Sequence, residues 1–150
     1  MTDPLRWCRY AILVAGVWVV ATPACAVDIG RIKVARGPVT VERAGVTMPA
    51  PVGLRLQTSD TIRTGDDASV GITMDDDSLL SAGPNTVLRL DRYAFDPTTN
   101  QGRLDAALNK GTLSVISGRI AKQSPDAMTV RTPTAILGVR GTTFAVFVDE

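Results

Sequence analysis

Histidine is absent from the chain, and its two cysteines and two tryptophans all fall in the first 25 positions, at Cys8, Cys25, Trp7 and Trp18. Those positions belong to a stretch that reads as an export signal. Arg6 and Arg9 give a basic start, Ala11 to Thr22 is apolar and uncharged, and Pro23 breaks the run. Ala24-Cys25-Ala26 then has the small-x-small form that signal peptidase cleaves. An apolar run of this length falls short of the ~20 residues that span a bilayer. Residues 1–26 are therefore expected to be removed. What remains is one domain over 27–150, expected to be exported and to keep no permanent membrane span.

Past Ala26 there is no Cys, Trp or His. The usual general base and the common neutral metal ligand are missing. So are a thiolate nucleophile, a soft metal ligand and any disulfide framework. A Ser-His-Asp triad cannot be assembled. No Gly-x-Gly-x-x-Gly or phosphate-binding loop occurs, and Asn109-Lys110-Gly111-Thr112 lacks the required glycine spacing. Paired carboxylates could still act on sugars, but the chain's two Tyr, one of them Tyr10 ahead of the domain, and three Phe are few for a cleft that grips one. The composition argues against an enzyme and calls for no cofactor. Setting aside Arg6, Arg9 and Asp3 leaves 14 basic and 14 acidic residues, so the domain is neutral. Nucleic acid is not the partner such a balance suggests.

What is present is a run of short alternating segments cut by Gly, Pro, Asn and Asp. Arg31–Arg36 alternates charged and apolar residues before Gly37-Pro38, and Val39–Arg43 follows up to Ala44-Gly45. Leu54, Leu56 and Ile62 mark further strand positions, as do Val70, Ile72 and Met74 before Asp75-Asp76-Asp77. Leu79-Leu80 leads into Gly83-Pro84-Asn85, and Val87–Leu90 comes next. The pattern slackens over Asp96–Gly102, a polar loop, and Leu104–Leu108 fits one helical turn or a strand equally well. Gly111–Gly118 and Met128–Arg131 are strand-like again. The count is about ten to twelve short strands with no long helix. That is an all-β chain built as a compact sandwich, a roll or a short solenoid.

Several positions carry a structural and a functional reading together. Asp75, Asp76 and Asp77 offer hard oxygen ligands that suit calcium, yet aspartate also favours a turn for its own backbone bonds. Tyr93 and Phe95 stand two apart and share one strand face. They pack in the core or form part of a docking edge. Phe144–Val148, with Phe147 near its end, is β-prone and uncharged, and an uncovered strand of that kind invites a partner or a second copy. Arg140 sits between Gly138 and Gly141 in a stretch with no other charge from Thr132 to Val148. It is expected to serve as a structural pin, its five-donor fork bridging neighbouring strands, with partner binding as the alternative.

Val130-Arg131-Thr132-Pro133-Thr134-Ala135, followed by Gly138-Val139-Arg140-Gly141-Thr142 and Phe144, resembles the signature of the FecR-type domain. Ile62-Arg63-Thr64-Gly65 with Ala68-Ser69-Val70, and Gly83-Pro84-Asn85-Thr86, are similar to two further stretches of that family. The resemblance covers most of residues 30–148. It implies a β-rich periplasmic domain with a regulatory or protein-interaction role and an envelope protein as partner. The name-giving members sense siderophore uptake and act on a sigma factor through a cytoplasmic N-terminal segment. Here only about ten residues precede the apolar run, so that role does not carry over. The expected function is a non-enzymatic, signal-relay docking module. A cell-wall or polysaccharide-binding domain is the alternative.

Overall fold

Alternate residues turn inward along most strands. In the segment Ser69–Met74, Val70, Ile72 and Met74 are buried while Ser69, Gly71 and Thr73 are half-buried. The computed structural model describes residues 27–149. The export-signal expectation for 1–26 lies outside the described residues. Twelve strands follow one another: β1 (Asp28–Arg36), β2 (Val39–Arg43), β3 (Val46–Pro49), β4 (Arg55–Gln57), β5 (Thr61–Thr64), β6 (Ser69–Met74), β7 (Leu79–Ala82), β8 (Val87–Asp96), β9 (Gln101–Ile116), β10 (Met128–Arg131), β11 (Ile136–Gly138) and β12 (Thr143–Val148). A five-residue helix, α1 (Arg119–Gln123), links β9 to β10.

The strands run β3-β2-β5-β8-β9-β7-β6-β1-β4 across one sheet that curls into a half-barrel. Of the architectures left open by the sequence, this is the roll. One apolar cluster fills it, with Ile32, Val41, Leu56, Ile62, Leu88, Leu90, Leu108 and Leu113 fully buried. The long β9 organises the whole. Its first part pairs antiparallel with β8 and parallel with β10, and its second part lies between β7 and β12.

The chain turns the corner of the roll at Gly37-Pro38, Gly65, Gly83-Pro84-Asn85 and Gly111. Hydrogen bonds lace these corners together. Gly65 N–H donates to the Pro38 carbonyl at 2.9 Å, Asn85 N–H to Gly65 at 3.0 Å and Gly83 N–H to Thr112 at 3.0 Å. Two buried threonines complete the seam. Thr64 Oγ1 donates to the Gly83 carbonyl at 2.7 Å and accepts from Thr86 N–H at 2.8 Å, and Thr86 Oγ1 accepts from Thr112 N–H at 3.1 Å. A chain changing direction exposes peptide groups that a straight ladder would satisfy, and here side-chain hydroxyls take that role. The Gly-Pro and Gly-Pro-Asn punctuation read as isolated turns is one continuous seam.

Locally, one open reading is decided, one expectation changes and one element is added. Leu104–Leu108 is strand, not a helical turn, because it belongs to a 16-residue β9 that also absorbs Gly111–Ile116. The loop expected over Asp96–Gly102 contracts to a turn between β8 and β9, closed where Asp96 accepts from Thr98 N–H at 2.8 Å and Thr99 Oγ1 at 3.1 Å. These bonds hold the Asp96 carboxyl below the usual range. Helix α1 was not foreseen, since five residues are too few to show a period.

Candidate functional site

The signature stretch builds a hairpin and an edge strand on the flank of β9. β10 and β11 pair antiparallel, and Thr132 closes the turn: its N–H donates to Ala135 at 2.8 Å and its Oγ1 accepts from Ala135 N–H at 3.0 Å. Pro133 sits exposed in that turn. After β11, Val139 is buried and its N–H donates to the Met128 carbonyl at 3.0 Å. Ser117 then fixes the next bend, its hydroxyl donating to Gly141 at 2.8 Å and its N–H to Thr142 at 2.9 Å.

Arg140 does not take the position expected of a pin. Its side chain is 76% exposed and meets Asp126, itself 86% exposed, at 3.5 Å. In extended chain consecutive side chains point oppositely. Val139 takes the inward position, so Arg140 is left in water. Replacing Arg140 with alanine is therefore expected to change unfolding free energy by no more than ~0.5 kcal/mol, the usual size for an exposed pair. A urea midpoint shifted well beyond that would restore the pin.

The geometry expected of Arg140 occurs at Arg43. Its Nε and Nη2 donate to the two carboxylate oxygens of Asp60 at 2.8 and 2.7 Å, and Nη2 also reaches the Arg55 carbonyl at 2.9 Å. Asp60 is fully buried and takes Gln57 N–H as well, at 2.9 Å. One fork thereby ties the end of β2 to the turn before β5. Sequence reading missed this pair because its members lie 17 residues apart without a shared motif.

Across β12, Phe144, Val146 and Val148 lean on the core while Phe147 is 69% exposed. Among the described residues β12 has one strand neighbour, β9, and β11 has one, β10. In an antiparallel ladder alternate residues turn their N–H and C=O toward the partner. The Thr142 carbonyl faces β9, so Thr143, Ala145 and Phe147 turn their peptide groups outward. Between that edge and the β11 side runs a groove of about 250 Å³, lined by Leu137, Gly138, Val139, Phe144 and Val146, with Arg140 at its rim. Ile136, at 72% exposure, extends the apolar surface.

The Asp75-Asp76-Asp77 tip works as a bracket for α1. Asp76 is fully buried, and its carboxylate accepts from Ser78 Oγ at 2.6 Å, Ser78 N–H at 3.3 Å and Ile120 N–H at 3.4 Å. Its carbonyl takes Arg119 N–H at 2.8 Å. Gly118 passes so close to the Asp76–Ser78 backbone that a Cβ there would overlap it. Asp77 pairs with Arg119 at 2.7 Å. Among the described residues no three His, Cys, Asp or Glu side chains are grouped to hold a metal ion.

Tyr93 and Phe95, expected on one face, both serve the same bracket. The Tyr93 hydroxyl accepts from Asp76 N–H at 2.9 Å, and burial, with the nearby Asp76 charge, raises its pKa well above the ordinary value. Phe95 lies under the Arg119 guanidinium, 5.2 Å from the ring centre. Neither aromatic belongs to the groove beside Phe144 and Val146.

Fold and surface together define a curled, single-core β-roll whose signature stretch carries two strand edges left open among the described residues, with an apolar groove between them. A family model described as FecR protein matches residues 60–150, and the chain belongs to that family. The match takes in β5 to β12, while β1 to β4 build the same sheet ahead of it. Membership suggests a periplasmic signalling or regulatory domain, in a family of signal-transduction regulators. No curated protein and no solved structure matches the chain.

Proposed function

We propose that this domain is a non-enzymatic docking and signal-relay module of the cell envelope, which receives an extended segment of another envelope protein along β12. The observation that carries the reading is the outward-facing peptide row at Thr143, Ala145 and Phe147, set beside an apolar groove. Backbone pairing supplies affinity in strand addition, and pockets for alternate side chains supply selectivity. Leu137, Phe144 and Val146 offer such pockets to every second residue of an incoming strand. The periplasmic location belongs to the same proposal, supported by the family and by the pattern of residues 1–26.

Proline at position 145 separates docking from folding. The Ala145 N–H points away from β9, so its loss removes no bond of the ladder, and edge strands tolerate proline with that orientation. Ala145→Pro is expected to cut in-cell photo-crosslinking from a probe at position 147 about tenfold, the effect of roughly one charge-neutral backbone bond plus a steric block. Its melting temperature should stay close to that of the parent. Undiminished crosslinking to the same partner would refute strand addition.

A further inference from the structure

A second surface lies on the outer face of β8, β9 and β10, with residues separate from those of the apolar groove. A hollow of about 400 Å³ opens there between Ser59, Arg89, Asp91, Arg92, Asp105 and Arg131. Register explains its shape. The small Ala107 stands opposite Arg89 on one side and Arg131 on the other, so two long side chains flank a gap. One row along, Arg92 pairs across with Asp105, beside a bulge that reorients β8 between Leu90 and Arg92.

The charges are unevenly satisfied. Arg89 pairs with Asp91, and Arg103 with Asp105 through Oδ2 at 2.9 Å. The guanidinium groups of Arg92 and Arg131 have no hydrogen bond or ion pair among the described residues. Asp105 is 2% exposed, and its Oδ1 is buried with no hydrogen-bond partner. A buried acceptor left without a donor is costly. The hollow thus presents two unpaired guanidinium groups, and Asp105 at its floor holds, closed off beneath the surface, one carboxylate oxygen that lacks a donor.

We infer that the hollow binds an acidic sugar: a carboxylate or phosphate draws in the unpaired Arg92 and Arg131 side chains, and their shift opens Asp105 Oδ1 to an adjacent hydroxyl that donates to it. The planar guanidinium fork matches both anions. The floor carboxylate makes the site selective, because it repels a bare anion and accepts from one that carries a hydroxyl. Ser59 offers a further hydroxyl at the rim. The inference does not rest on strand docking, and its failure would leave that reading intact.

Calorimetric titration of the protein with D-glucuronate, glucose 6-phosphate, inorganic phosphate and neutral glucose tests it. Saturable binding of glucuronate or glucose 6-phosphate, tighter than phosphate or glucose, is expected, and the stronger of the two identifies the anion. Arg131→Gln should weaken that binding about tenfold, as loss of a charge-assisted contact does. Asp105→Asn keeps an oxygen for Arg103 and places an amide donor at the floor. It should lower affinity for the acidic sugar while raising affinity for inorganic phosphate, an inversion that misfolding cannot produce. No saturation by either acidic sugar at about 10 mM, or an unchanged order of preference in Asp105→Asn, would overturn the assignment.

Discussion

Gly111→Ala is expected to lower the unfolding free energy by about 3–5 kcal/mol, a large share of the ~5–15 kcal/mol typical of a domain. Two separate costs add at this position. Gly111 has φ 91°, a conformation that costs a side-chain-bearing residue about 1–3 kcal/mol. A Cβ would also strike Thr86 Oγ1 and approach the Asn85 carbonyl to 2.8 Å. Overpacking of that kind adds about 1–3 kcal/mol where the neighbour cannot move. Thr86 cannot retreat cheaply, because its hydroxyl takes the Thr112 N–H of the corner seam. Thermal unfolding followed by circular dichroism should show a melting temperature roughly 10–20 °C lower. A drop of only a degree or two would mean that β9 turns this corner without needing glycine.

The second large effect is at Arg43. Alanine there is expected to cost about 2–4 kcal/mol, read as a lower urea midpoint with unchanged slope. Asp60 would stay buried with Gln57 N–H as its remaining donor, after losing both arms of the guanidinium fork. The figure lies below that for a fully buried pair because the Arg43 side chain keeps 27% exposure and water screens it. Asp60 raises the Arg43 pKa above its ordinary value through the same hydrogen bonds, so the guanidinium stays charged across the physiological range. Arg43→Lys should fall between parent and alanine, since one ammonium keeps the charge but cannot span both oxygens and the Arg55 carbonyl. If lysine matched arginine, the fork geometry would not be what stabilises this junction.

The contrast between Arg43 and Arg140 shows what sequence patterning can and cannot reach. Both are isolated cations near glycines or turns, and the chemistry that makes an arginine a good pin applies to each. Burial decides between them, and burial follows from which residue of a neighbouring pair takes the inward position. Val139 takes it beside Arg140. At Arg43 the turn before β5 brings a buried carboxylate within reach. The aspartate tip was legible as a turn, but not as the bracket that seats α1, because Tyr93 and Ile120 come from two distant parts of the chain. The hollow beside Asp105 was equally hidden. Its arginines are spread over β8 and β10, and it takes shape when β9 aligns Ala107 between them.

The amino-acid sequence by itself determined the all-β class, the near-count of strands, the family signature and the poverty of catalytic groups. These follow from local properties: a two-residue period, turn residues with particular backbone preferences, and the simple absence of His and Cys after residue 26. The tertiary structure alone decided how the strands curl, that the corner glycines and threonines form one seam, which arginine is the pin, and which edges and hollows stay open among the described residues. Those outcomes depend on register between distant strands. Register is set by how the apolar faces close on a common core, and no local stretch contains that information.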